Sequence, residues 1–147
     1  MEKLTVTFPS SLPESDLQYV VIGARYHHQW LFVQHKQRNT YEIPGGHIEP
    51  SEHHANAARR ELYEETGATE FTLHQLGPYV VSRDGKQGSG GMLYAAEVIA
   101  LGDIPVESEI GQVHRFGSLP DELTYPSIQP YLQDKLEEWL HKGKEQE

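Results

Sequence analysis

One stretch constrains this chain more than any other: Pro44-Gly45-Gly46, a short polar connection, and then a helical segment closed by Gly67. The paired glycines stop the extended piece Tyr41-Glu42-Ile43 and permit backbone geometry that other residues resist. Pro50-Ser51 supplies an N-cap, Glu52 falls in the first turn where a negative charge suits the helix dipole, and Gly67 stands at the C′ position. These signals predict a helix over 52–66. At about 100° per residue, Ala55, Ala58 and Leu62 share one narrow stripe, and the small alanines let such a helix pack closely on a sheet.

The rest of the chain supplies the sheet. Lys3–Phe8 alternates polar and apolar residues, the period of a half-buried strand, and Gln18–Tyr26 and Trp30–His35 flank His27-His28-Gln29 as a hairpin. Beyond the helix, Phe71–Leu76, Tyr79–Ser82 and Met92–Ala100 read as strands, and Val113–Phe116 as another. Arg83–Gly91, rich in glycine, reads as a flexible hairpin loop, and its cations Arg83 and Lys86 make it a candidate flap over phosphates. Leu119–Leu123 is a turn or short helical element. Ser127–His141 places Ile128, Tyr131, Leu132, Leu136, Trp139 and Leu140 at helical spacing, and the polar tail 142–147 is expected to fray. With neither an internal repeat nor an interdomain linker, residues 1–147 are expected to form one α/β domain with a mixed sheet.

Composition closes off several classes of function. The chain has no cysteine, which excludes disulfides, thiolate zinc sites and cysteine nucleophiles. No apolar run approaches the roughly 20 residues of a membrane-spanning helix, and Met1–Val6 lacks the basic and apolar regions of a secretory signal, so a soluble cytoplasmic protein is expected. Twelve Lys+Arg against 22 Asp+Glu give a net charge of −10, a poor surface for a nucleic-acid polymer. A small anionic substrate stays open, because divalent cations held by carboxylates can carry the positive charge.

Such carboxylates stand on the helix. From Glu61, Glu64 lies at about −60° and Glu65 at about +40°, so three acids share roughly 100° of arc and repel one another in mid-helix, where no dipole benefit offsets the cost. Taken alone, the run reads as a solvated acidic face. It also fits a hard divalent ion, which takes oxygen ligands and binds substrate phosphates at the same time. Arg60 can reach back to Glu52, about 80° around the helix, and forward to Glu64 at i+4.

The register joins these features. Gly46, five residues, Glu52, seven residues, then Arg60-Glu61-Leu62-Tyr63-Glu64-Glu65-Thr66-Gly67-Ala68 resembles the Nudix box, G-x5-E-x7-R-E-U-x-E-E-x-G-U, where U is a bulky aliphatic residue. Every charged and glycine position matches; Ala68 is smaller than the usual final aliphatic, which bears on packing. The resemblance implies an α/β/α sandwich with a mixed sheet, a catalytic loop–helix–loop over 46–68 and a C-terminal helix. It also implies Mg²⁺, replaceable by Mn²⁺, bound by Glu61, Glu64 and Glu65 with a backbone carbonyl from Gly45 or Gly46, while Glu52 and Arg60 orient the acids.

The activity it implies is hydrolysis of a diphosphate bond in a nucleoside diphosphate linked to another moiety, with a (d)NTP such as an oxidised purine nucleotide as the MutT-like expectation. The alternatives are a non-catalytic nucleotide sensor and a pyrophosphohydrolase of RNA 5′ ends. The general base is Glu61 or Glu64 of the box, or an acid from a loop across the site; of Glu107 and Glu109 there, Glu109 is preferred. His35, Tyr41 and Tyr125 are substrate contacts by position, and Arg83 is a phosphate contact. The nine histidines, His27-His28 and His53-His54 among them, lack zinc-site spacing and read as surface. The expected partner is a small nucleotide, with neither membrane nor nucleic acid, and a homodimer stays open.

Overall fold

Alternation along the strands decides which face each helix covers. The structure, a computed structural model, describes residues 3–145, and of Gln87, Lys144 and Glu145 the backbone alone. Strands β1 (Leu4–Thr7), β2 (Leu17–Tyr26), β3 (Gln29–His35) and β4 (Gly45–His47) precede helix α1 (His54–Thr66); β5 (Ala68–Arg83), β6 (Lys86–Leu101), β7 (Ile110–Phe116) and helix α2 (Gln129–Glu145) follow. The seven strands form one sheet in the order β1-β5-β6-β2-β3-β7, with β4 added alongside β2. Among the described pairs of named strands only β2–β6 is parallel, so the sheet is mixed.

Val20, Ile22, Ala24, Met92, Tyr94 and Ala96 turn to one face, where Ala57, Ala58 and Leu62 of α1 close over them. Trp30, Phe32, Leu93 and Ala95 turn to the other, under Leu132 and Leu136 of α2. Gly23 sits beneath α2, where a Cβ would fall 2.3 Å from Leu136 Cδ1. A helix on each face makes the expected α/β/α sandwich. No helix among the described residues is long and apolar enough to cross a membrane.

Several boundaries move. Helix α1 starts at His54, with His53 as N-cap through a ring nitrogen that accepts the Ala55 N–H at 3.1 Å; Ser51, expected to cap, has φ 65°. Glu52 therefore precedes the helix. The buried helical face is broader than the stripe foreseen, because Ala57 joins Ala58 and Leu62 while Ala55 is only partly covered. Gly67 ends the helix at φ 78°.

The expected loop and flap over Arg83–Gly91 are corrected: β5 and β6 pair along their length, and the turn is Asp84-Gly85 alone, with φ of 53° and 75°. Gly88 and Gly91, which suggested a loop, are instead close approaches between β5 and β6, while Gly85 serves the turn. A Cβ on Gly91 would meet the ring of its cross-strand partner Tyr79 at 2.4 Å. Phe71–Leu76 and Tyr79–Ser82 are two parts of β5, joined through a register shift at Gly77. Leu119–Leu123 holds no helix and pairs through Leu123 with Tyr41. The expected frayed tail is helical as far as Glu145; 146–147 lie outside the described residues.

Candidate active site

Gly45 and Gly46 do not turn the chain. They pair in β4 with Val21 and Val20, and they are small because neighbours press on them. A Cβ on Gly45 would lie 2.4 Å from the Val20 carbonyl oxygen, and one on Gly46 would lie 2.4 Å from the Glu61 carboxylate carbon. The glycine pair thus lets the acidic face of α1 approach the sheet.

On that face Arg60 is the hub. Its Nε and Nη2 donate to the two carboxylate oxygens of Glu52, each at 2.9 Å. Nη1 reaches Glu61 at 2.9 Å and Glu64 at 3.4 Å, and Nη2 also donates to the His47 carbonyl at 3.0 Å. The bidentate bond to Arg60 holds the Glu52 carboxyl below its ordinary range. The same bond raises Arg60 further, so the guanidinium stays charged.

Glu61 and Glu65 are pushed the other way. Burial lifts Glu61 despite Arg60, and burial lifts Glu65 to about 8 although the Gly45 N–H donates to it at 2.9 Å. Buried, mutually repelling carboxylate oxygens are the donor set of a hard divalent cation, so the residues present fit Mg²⁺.

This makes a stability prediction for the metal-free protein. A carboxyl raised from 4.5 to about 8 contributes its stability below 4.5 and loses it as pH climbs to 8. The melting temperature in EDTA should fall across that window by roughly 5 °C or more, and Glu65→Gln should flatten the fall. An unchanged slope in the variant sinks the assignment. Glu52, held low, acts only below its ordinary range and does not mask the effect.

The carboxylates lie where two depressions meet. One is a cleft of about 770 Å³ walled by Val21, Ile43, Tyr79, Val81, Ile128 and Leu132, with Glu61, Glu65, Glu109, Gly45 and Gly46 at its polar end. The other, about 510 Å³, is lined by Glu61, Glu64, Glu65, Glu107 and Glu109. Glu109 borders both and Glu107 only the second. His35, Tyr125 and Arg83, the candidate substrate contacts, line the cleft, although Arg83 comes from the end of β5 and no flap carries it. Tyr41 does not line it: its ring packs edge-on against His114 and Phe116, at 5.2 and 5.0 Å between centroids.

Sequence reasoning missed Glu42, Arg38 and Gln129. Glu42 is buried, 3.2 Å from His35 Nε2 and 2.6 Å from Arg38 Nη1, so it sets the His35 ring on the cleft wall, with its other nitrogen 3.9 Å from Glu109. Neither partner was readable in the sequence, because Arg38 and Glu42 meet across a non-helical stretch where a spacing of four implies no contact. Gln129 lines the cleft with a buried Oε1 that has no hydrogen-bond partner among the described residues.

A family model for the NUDIX domain matches residues 18–122. Among curated proteins, 64 residues are 44% identical to the "Putative 8-oxo-dGTP diphosphatase YtkD" of Bacillus subtilis (strain 168), covering 44% of this chain and only 40% of that protein's length. The crystal structure of the Bacillus subtilis pyrophosphohydrolase BsRppH superposes with a TM-score of 0.76 at 28% identity, over 93% of this chain and 91% of that one. A C. elegans Ap4A hydrolase shares the fold, with a TM-score of 0.62 at 19% identity over 86% and 98% of the two chains. With the box running from β4 through α1 and the domain match spanning most of the chain, this protein belongs to the NUDIX family.

Proposed function

We propose that this chain hydrolyses a phosphorus anhydride bond of a nucleoside triphosphate, with Mg²⁺, and that an oxidised purine (d)NTP is the substrate it serves. The observation that carries the reading is the convergence of Glu61, Glu65 and Glu109 at the polar end of an apolar cleft large enough for a nucleobase. The similarity to a Bacillus subtilis protein named for 8-oxo-dGTP favours an oxidised purine. The likeness to BsRppH favours pyrophosphohydrolysis.

Glu61, Glu64 and Glu65, with a carbonyl of Gly45 or Gly46, would hold the ion. When bound, Mg²⁺ neutralises the diphosphate and lowers the pKa of the attacking water. Arg60, clamped by Glu52, holds Glu61 and Glu64 on the same side of the helix. Glu109 takes the proton of the attacking water. The cleft walls exclude water from the base, His35 and Tyr125 offer polar contacts, and Arg83 offers a cation to the phosphates. Residues 1–147 act as one domain in this reading.

A panel of ordinary and oxidised (d)NTPs, dinucleoside polyphosphates and a 5′-triphosphorylated RNA, read by product mass with and without Mg²⁺ or Mn²⁺, tests it. Turnover of an oxidised purine nucleotide only with metal is expected. Turnover confined to the RNA would move the substrate to 5′ ends, and no turnover at all would favour a nucleotide sensor.

A further inference from the structure

The histidine pair that begins α1 is not the isolated surface feature its spacing suggested. The short 3-10 turn Glu14–Asp16, which leads into β2, places Glu14 beside it. A carboxylate oxygen of Glu14 and one ring nitrogen each of His53 and His54 lie within 4.8 Å of one another. We propose that Glu14, His53 and His54 form a second metal site, separate from the box carboxylates, which takes a borderline divalent transition-metal ion such as Zn²⁺.

The donor chemistry selects that class. Two imidazoles and one carboxylate suit Zn²⁺ and its neighbours in the first transition row, whereas Mg²⁺ prefers oxygen alone. Each ring is held through its Nδ1. His53 Nδ1 accepts the Ala55 N–H at 3.1 Å, so the neutral ring carries its hydrogen on Nε2, which lies 4.0 Å from Glu14 Oε1. An ion at that nitrogen needs the tautomer with its hydrogen on Nδ1, so binding gives up the Ala55 cap bond and releases no proton from the neutral ring.

His54 is held through Nδ1 by the Tyr94 hydroxyl at 2.5 Å, which leaves Nε2 as its ligand atom, and such outer partners orient ligating imidazoles. The two rings lie 4.1 Å apart at 32°. Zinc bonds of about 2.0–2.1 Å need donor atoms roughly 3.3 Å apart. The Glu14 and His53 side chains are 81% and 54% exposed and free to close the difference. The helix N-terminus opposes a cation, and the Glu14 carboxylate supplies the compensating charge. An ion here would tie the chain entering β2 to the start of α1, next to Glu52.

The test is calorimetric titration of the metal-free full chain with Zn²⁺ under excess Mg²⁺, at two pH values. Wild type should bind about one equivalent, more weakly at the lower pH where protons compete for the imidazoles, and its melting temperature should rise. Glu14→Gln, and His53→Asn, which keeps a capping side chain, should weaken binding by at least ~10-fold. Tyr94→Phe should weaken it by a similar factor, while Glu61→Gln/Glu64→Gln should still bind. Glu14→Gln should leave Mg²⁺-dependent hydrolysis unchanged. Wild-type-like Zn²⁺ binding by both Glu14→Gln and His53→Asn, loss of binding in the box double variant, or no binding by wild type at ~1 mM Zn²⁺ would each overturn the proposal.

Discussion

Glu64→Gln should lower kcat by roughly three orders of magnitude while the fold stays intact. The Glu64 side chain is 46% exposed and its contact with Arg60, at 3.4 Å, is the longest of that guanidinium's hydrogen bonds, so little packing depends on it. Arg60 stays anchored without it by Glu52, Glu61 and the His47 carbonyl. What the change removes is one anionic oxygen from the set that would hold the ion. A ligated ion stabilises the transition state by several kcal/mol, and each 1.36 kcal/mol is tenfold in rate.

Relief of the repulsion among Glu61, Glu64 and Glu65 should leave stability in EDTA unchanged or slightly raised. Steady-state rates across a Mg²⁺ titration, paired with melting curves in EDTA, separate the two effects. A variant that melts well below wild type would make Glu64 structural, and the assignment would be wrong.

Glu109→Gln should lower kcat by about 10²–10⁴, the range for a lost acid–base group, with metal affinity changed far less. Glu61, Glu64 and Glu65 would be engaged by cations, and a carboxylate beside a cation loses basicity. Glu109 comes from another segment. Its backbone is pinned one residue before β7, where its carbonyl accepts the Lys36 N–H at 2.9 Å, and its side chain borders both depressions at the carboxylate cluster.

Glu107 sits in the turn that precedes it, in which the Ser108 N–H bonds the Pro105 carbonyl, and it borders only the acidic depression. Because β7 begins at Ile110, the two acids do not alternate along a regular strand and need not share a face. Activity of Glu109→Gln should recover partly at high pH, where hydroxide replaces the assisted water. A loss in Glu107→Gln instead would transfer the role, and a loss in neither would return it to a box glutamate.

The register of Gly46 to Ala68, the helix and its terminal Gly67, the central hairpin and the C-terminal helix were all readable along the chain. All of these rest on local rules: a period of 3.6 or 2, a residue that tolerates positive φ, charges at i+3 and i+4. From those alone the Nudix family and the acidic face were legible.

What the tertiary structure decided depends on atoms brought together from distant parts of the chain. Gly45, Gly46 and Gly91 read as loop residues, because a glycine needed for close approach looks the same in sequence as one needed for a turn. Tyr41 left the cleft for a cluster with His114 and Phe116, a choice set by pairing across the sheet. Burial, invisible in the spacing, pushed Glu65 up, although its neighbour Glu64 on the same helix is half exposed. Glu14 met His53 and His54 because β2 and α1 begin at the same end of the sandwich, and no rule of spacing connects residues that only the folded chain makes neighbours.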